Sequence, residues 1–221
     1  MTNRELARLI DHTLLTVDAG KRDIEKLCQE AMRFHFFSVC TNPWWVRTVQ
    51  RILKDTEVKV CTVSGFPLGA STVEVKIEEA RRGIDDGADE IDVVMNVGEF
   101  KDGNHTFVRE EIERIAEAVG KDRTIKVIIE TCVLTDSEKR LGSTIVKQAG
   151  AQFVKTSTGF ASGGATVGDV RLIREAVGDS MRIKASGGIR TFEQAVALVE
   201  AGADRIGTSA GVQIMGENHA R

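Results

Sequence analysis

Apolar residues along this chain recur in two alternating rhythms. Short runs rich in Val, Ile, Phe and Cys read as strands at Ile10–Leu15, Phe36–Cys40, Val58–Val63, Glu90–Met95, Ile125–Thr131, Phe153–Ser157, Arg182–Ala185 and Arg205–Thr208. Between them, apolar positions three and four apart predict helices at Arg22–Phe34, Pro43–Lys54, Val73–Asp85 and Phe107–Val119. The second half continues with helices at Ser137–Gln148, Val167–Val177, Phe192–Glu200 and Gly211–Met215, and a short extra helix at Arg4–Leu9 opens the chain. Runs such as Ile125-Lys126-Val127-Ile128-Ile129 scarcely alternate, as expected of a parallel strand covered on both faces. Eight strand–helix units in 221 residues predict an α/β fold, a single (β/α)8 TIM barrel with a short extra N-terminal helix, spanning residues 1–221 as one domain. The rival is a doubly wound open sheet, which usually opens on a Gly-rich phosphate loop. Here the first junction is Leu14-Leu15-Thr16-Val17-Asp18, with no such loop.

A weak internal repeat agrees with the barrel. Gly87-Ala88-Asp89, Gly150-Ala151-Gln152 and Gly202-Ala203-Asp204 each close a helix just ahead of a strand. Glycine suits the left-handed position that ends a helix, so the repeat reads as architecture.

Composition removes several function classes. Residues are 42% hydrophobic and the formal net charge is −3, so no basic excess draws the chain to nucleic acid. No apolar run approaches the roughly 18 residues that a membrane span needs, and Met1-Thr2-Asn3-Arg4 does not begin a secretory signal. Cys28, Cys40, Cys61 and Cys132 lack paired spacing and read as buried thiols of a cytoplasmic protein. The histidines, His12, His35, His105 and His219, show no ligand spacing, so neither a metal nor a cofactor is expected.

Three strands carry a charge that a buried strand should avoid, because desolvating an unpaired ion costs several kcal/mol. Asp92, Lys155 and Lys184 each stand two residues into the fourth, sixth and seventh strands. There they can point into the lumen near the C-terminal face, where barrel active sites are built. A salt bridge explains one lysine and leaves the other unpaired. Chemistry explains both, since a second ammonium and burial favour the free amine that Schiff-base formation requires. A carboxylate beside the resulting iminium can move protons. Lys59 and Lys126 lie nearer the strand starts, where a lysine can reach water, and are read as structural.

Gly159 and the Gly187-Gly188 doublet follow the sixth and seventh strands and Gly207-Thr208-Ser209 closes the eighth unit, a place where barrels hold phosphate. Cys40, ending the second strand, faces either the pocket or the core. Asp11 in the first strand is a candidate member of the charge network. In Asn42-Pro43-Trp44-Trp45 a helix begins, and adjacent tryptophans point to different faces, so one is exposed to solvent or to a second subunit.

Five segments carry a resemblance. Asp11-His12-Thr13-Leu14-Leu15, Val63-Ser64-Gly65-Phe66-Pro67-Leu68-Gly69, Glu90-Ile91-Asp92-Val93-Val94-Met95-Asn96, Val154-Lys155-Thr156-Ser157-Thr158-Gly159 and Lys184-Ala185-Ser186-Gly187-Gly188-Ile189-Arg190 resemble the deoxyribose-phosphate aldolase family, over about residues 5 to 215. The resemblance implies a metal-independent class I aldolase, a lyase that reversibly cleaves 2-deoxy-D-ribose 5-phosphate to D-glyceraldehyde 3-phosphate and acetaldehyde. It implies Lys155 as the Schiff-base lysine, Asp92 as a proton donor and acceptor, and Lys184 as the second lysine. Gly159, Gly187, Gly188 and Ser209 fall on the family's phosphate turns, with Asp11, Cys40 and Thr158 in support. The implied partners are small phosphosugar and aldehyde substrates and further copies of the chain, as a dimer or tetramer. Another Schiff-base aldolase for a different phosphosugar, or a non-catalytic sugar-phosphate-binding barrel, are the alternatives. Two departures stand out: Phe160 occupies a position that is lysine in some relatives, and the chain has no tyrosine for a C-terminal contact.

Overall fold

The computed structural model describes residues 1–216. Eight parallel strands close into a barrel in sequence order: β1 (Ile10–Leu14), β2 (Ser38–Thr41), β3 (Lys59–Ser64), β4 (Glu90–Val94), β5 (Thr124–Ile128), β6 (Phe153–Lys155), β7 (Arg182–Ser186) and β8 (Arg205–Thr208). β8 pairs back onto β1 through Ile10 opposite Ile206 and Asp11 opposite Gly207. The helices are α1 (Asn3–Ala7), α2 (Lys21–Phe34), α3 (Val46–Leu53), α4 (Val73–Asp85), α5 (Val97–Lys101), α6 (His105–Val119), α7 (Asp136–Gln148), α8 (Val167–Val177), α9 (Phe192–Glu200) and α10 (Gly211–Gly216). None of the described helices is long and apolar enough to cross a membrane.

The apolar stripes of these helices cover the outer face of the barrel. In α8, Val170, Ile173 and Val177 lie three and four apart and are all buried in the main core. Threonines set the starts: Thr72, Thr135, Thr166 and Thr191 each accept a backbone N–H from the first turn of α4, α7, α8 and α9.

The Gly-Ala repeat does more than turn the chain. Gly87, Gly150 and Gly202 have positive φ, as a helix-ending glycine should. The residue two beyond each then accepts the N–H near the start of the neighbouring strand. Asp89 takes Val60, Gln152 takes Ile125 and Asp204 takes Ile183. Each side chain thus satisfies a donor at the N-terminal rim of the barrel and fixes strand order there.

Beyond shifts of one or two residues at element ends, three elements differ from the sequence reading. The predicted helix at Pro43 starts as a 3₁₀ turn over Pro43–Trp45, with Trp44 exposed and Trp45 packed on the core. α5 was not predicted, because five residues containing Gly98 are too few to show a period. β5 stops at Ile128 rather than Thr131, since Glu130 takes a left-handed backbone (φ 55, ψ 67) that no strand continues.

Candidate active site

The lumen of the barrel holds a cluster of charges centred on Asp92. Its Oδ2 accepts from Lys155 Nζ at 2.7 Å and from Lys184 Nζ at 2.8 Å. Its Oδ1 accepts from Lys126 Nζ at 2.7 Å and from the Cys61 thiol at 3.2 Å. Lys184 also meets Asp11 Oδ2 at 2.5 Å, and Arg205 spans Asp11 and Glu90 at 2.8 and 3.3 Å. Glu90 closes the ring on Lys126 at 2.6 Å. Beneath the cluster, the Arg205 guanidinium stacks 3.4 Å over the Phe37 ring, which walls it off from the N-terminal end.

Asp92, Lys155, Lys184 and Asp11 therefore meet, as their strand positions predicted. Lys126 does not snorkel to water. It is fully buried between Asp92 and Glu90. The reason is register: β5 begins at Thr124, one residue before the predicted start, so Lys126 stands two residues in and directly opposite Asp92. Arg205 and Glu90 were missed because both stand first in their strands, where a charge is unremarkable.

Burial alone would neutralise such groups, and the mutual attractions override it. Desolvation pushes the Asp92 carboxyl up, yet the Lys126, Lys155 and Lys184 ammoniums together hold it well below its ordinary value. Desolvation likewise opposes the Lys184 charge, but Asp11 and Asp92 hold its pKa above 10.5. The same balance, with Asp92 first among its partners, keeps Lys126 protonated. Asp11 is held low by Lys184, Arg205 and Lys126 against its burial. Lys184 and Lys126 are thus fixed cations.

Above the cluster opens a cavity of about 370 Å³ at the C-terminal ends of the strands. Lys155 reaches its lining, whereas Asp92 and Lys184 lie beneath. Gly159, Gly187, Gly188, Ser209 and Thr158 all line it. The turns after β6 and β7 pack backbone against backbone: a Cβ at Gly164 would lie 2.2 Å from the Gly187 carbonyl oxygen, so only glycine fits. Arg190, three residues beyond Gly187, also lines the cavity and was overlooked, although it stands in the same motif as the glycine doublet. Phe160 is half exposed and meets Phe66 edge-on at 5.3 Å.

Cys40 does not line the cavity. It is fully buried opposite Cys61 in the β2–β3 register, and hydrogen bonding with Cys61 lowers its thiol pKa. Cys28 is buried and Cys132 half-buried, which corrects the expectation that every thiol is enclosed. Cys40, Cys61 and Asp92 bring ligand atoms within 4.8 Å of one another. Both Asp92 oxygens already serve ammoniums, so this donor set is built for cations of the chain itself.

His219 lies outside the described residues. His12 is buried, with Nε2 2.8 Å from Glu30 Oε2, and burial outweighs that carboxylate, so its pKa falls below 6.5. The unfolded chain then takes up a proton near pH 6.5 that the folded chain resists. Stability from His12 is present above that pH and is lost as pH falls through it. Thermal midpoints between about pH 7.5 and about pH 5 should fall less steeply in His12→Gln than in the unmodified protein. Parallel slopes would remove His12 from the account.

A (β/α)8 barrel with a lysine on the wall of an open C-terminal cavity and a carboxylate beneath it has the architecture of a barrel enzyme. Comparison with known proteins narrows the class. The sequence profile of the DeoC/LacD family aldolases matches residues 6–216, and the chain belongs to that family. It is 53% identical over 218 residues to a deoxyribose-phosphate aldolase of Thermococcus gammatolerans, covering 97% of each chain. A deoxyribose-phosphate aldolase of Caldicellulosiruptor saccharolyticus is 52% identical over 220 residues, covering 99% of this chain and all of that one. The crystallised deoxyribose phosphate aldolase of Aeropyrum pernix, described as a tetramer, superposes with a TM-score of 0.92. It is 34% identical and covers 99% of this chain and 93% of its own. The protein is an aldolase, and so a lyase of the class I type.

Proposed function

We propose that residues 1–221 form one aldolase domain that reversibly cleaves 2-deoxy-D-ribose 5-phosphate to D-glyceraldehyde 3-phosphate and acetaldehyde through a Schiff base on Lys155. The observation that carries this reading is the position of Lys155, the one lumen-cluster cation that reaches the cavity, with its Nζ on Asp92.

The amine of Lys155 adds to the substrate aldehyde, and loss of water gives the iminium. Removal of the proton from the C3 hydroxyl then breaks the C2–C3 bond. The bonding electrons pass to the iminium nitrogen as an enamine, and glyceraldehyde 3-phosphate leaves. Asp92 accepts and returns protons, directly or through water, and the enamine is protonated at C2. Water then releases acetaldehyde and regenerates Lys155. Lys184, a fixed cation, holds Asp92 and lowers the cost of a free amine beside it. The phosphate lies against the turns of Gly159, Gly187, Gly188 and Ser209, with Arg190 supplying the charge that Phe160 lacks.

No metal or other cofactor is needed for this chemistry, and activity should survive EDTA. The chain works as a homo-oligomer, a dimer or tetramer, an assignment supported by the tetrameric relative. Free buried thiols suit a cytoplasmic location. Borohydride reduction in the presence of acetaldehyde, followed by peptide mass spectrometry, should place a two-carbon adduct on Lys155. An adduct elsewhere, or none, overturns the reading.

A further inference from the structure

Glu130 is a buried carboxylate that the reaction above does not use. It stands just past β5 in the left-handed region (φ 55), a conformation that glycine or asparagine adopts at less cost. His35 is the other described non-glycine residue with positive φ, and it ends a helix, where that conformation is routine. Among the described residues, Glu130 forms no ion pair with lysine or arginine. Apart from a long contact from the Cys132 thiol to Oε1 at 3.9 Å, its donors come from the turn after β6. Oε2 accepts the Thr158 hydroxyl at 2.5 Å, and both oxygens receive the Thr158 N–H, at 3.2 and 3.3 Å. The Thr158 hydroxyl oxygen in turn accepts the Phe160 N–H at 3.1 Å. A buried charge, a strained backbone and an ordered chain of hydrogen bonds thus converge on Thr158-Gly159-Phe160. All three of these residues line the cavity that Lys155 reaches.

We propose that Glu130 is a positioning residue that sets affinity for the substrate's phosphate end by holding the Thr158-Gly159-Phe160 turn in its binding shape. The proposal rests on reading that turn as a phosphate contact. It does not require Glu130 to touch substrate.

The decisive variant is Glu130→Gly, because glycine adopts the left-handed backbone freely and removes only the side chain. Glu130→Gln is its companion: its carbonyl oxygen can still accept both Thr158 donors while its amide turns toward Cys132, whose Sγ lies 3.9 Å from Oε1. Glu130→Gly should keep its unfolding midpoint and, within about twofold, its rate of borohydride trapping with acetaldehyde, while KM for deoxyribose 5-phosphate rises about tenfold or more. Glu130→Gln should recover most of that loss. An unchanged KM in Glu130→Gly overturns the proposal. So does a parallel loss of trapping, kcat and midpoint, which would mark a merely structural side chain. Calorimetric titration with inorganic phosphate separates this proposal from the substrate assignment. Absence of deoxyribose 5-phosphate cleavage by the unmodified protein counts against the substrate, and phosphate affinity then decides for Glu130. An affinity about tenfold weaker in Glu130→Gly supports the proposal. Equal affinities, or no phosphate binding by the unmodified protein, overturn it.

Discussion

Lys155→Ala should lose turnover by more than about 10⁴-fold, the scale on which removal of a covalent nucleophile registers, while the barrel stays folded. The lumen cluster sets three carboxylates, Asp11, Glu90 and Asp92, against four cations, Lys126, Lys155, Lys184 and Arg205. One cation is in excess. Lys155 has a single carboxylate partner, whereas Lys126, Lys184 and Arg205 each meet at least two. Losing the Lys155 charge by mutation brings the cluster to parity and leaves no carboxylate unpaired. The unfolding free energy of the variant should therefore stay within about 1 kcal/mol of the unmodified protein. Lys184 cannot replace it as nucleophile: its ammonium is held by Asp11 and Asp92 and lies beneath the cavity floor. Retro-aldol assays and chemical denaturation on the same preparation check both halves. Substantial turnover in Lys155→Ala would remove the Schiff base from this residue.

The reason Lys155 was legible in the sequence is also the reason Lys126 was misread. A charged residue in an apolar strand announces a partner, and Asp92, Lys155 and Lys184 did so at matching strand positions. Lys126 gave the same signal one residue nearer its strand start, and depth along the strand suggested water. The strand begins one residue earlier, at Thr124, which sets Lys126 two residues in like the others and opposite Asp92 in the β4–β5 register. The strands themselves were readable as short apolar runs because both of their faces are covered, by the lumen side chains and by the helices. Their ends were less so: Glu130 sits in a run of apolar and β-branched residues, and nothing in that pattern encodes a positive φ. Arg205 and Glu90 were hidden differently, as charges at strand starts that ordinarily face solvent. In a closed barrel, inward-facing positions at the strand starts form a layer of the core. Arg190 was readable in principle, since a cation two residues beyond a glycine doublet in a phosphate turn has an evident use.

Asp92→Asn should reduce turnover by roughly 10²-fold or more and, unlike the lysine variant, destabilise the fold. The substitution keeps shape and removes the one carboxylate that meets three ammoniums. Four cations would then face Asp11 and Glu90 alone. Breaking a buried pair costs about 3–5 kcal/mol, and the lysines can recover part of that by losing protons, so a loss of about 3 kcal/mol near neutral pH is expected. The pH dependence carries the sign. In the unmodified protein Asp92 is held well below 3.8, so its contribution is present above that pH and fades as pH falls through the lower range. In the variant Lys126 and Lys184 lose one of the carboxylates that keep them charged, while Lys184 retains Asp11 and Lys126 retains Glu90. Their folded-state pKa values fall relative to the unmodified protein, so the stability that their charged forms contribute fades at a lower alkaline pH in the variant. Borohydride trapping with acetaldehyde should slow less than overall cleavage, because iminium formation needs the Lys155 amine more than it needs the carboxylate. Thermal unfolding across the alkaline pH range, with single-turnover kinetics alongside, reads all three effects. A variant that unfolds several degrees earlier yet cleaves at nearly the native rate would leave Asp92 as a counter-ion and end its role in proton transfer.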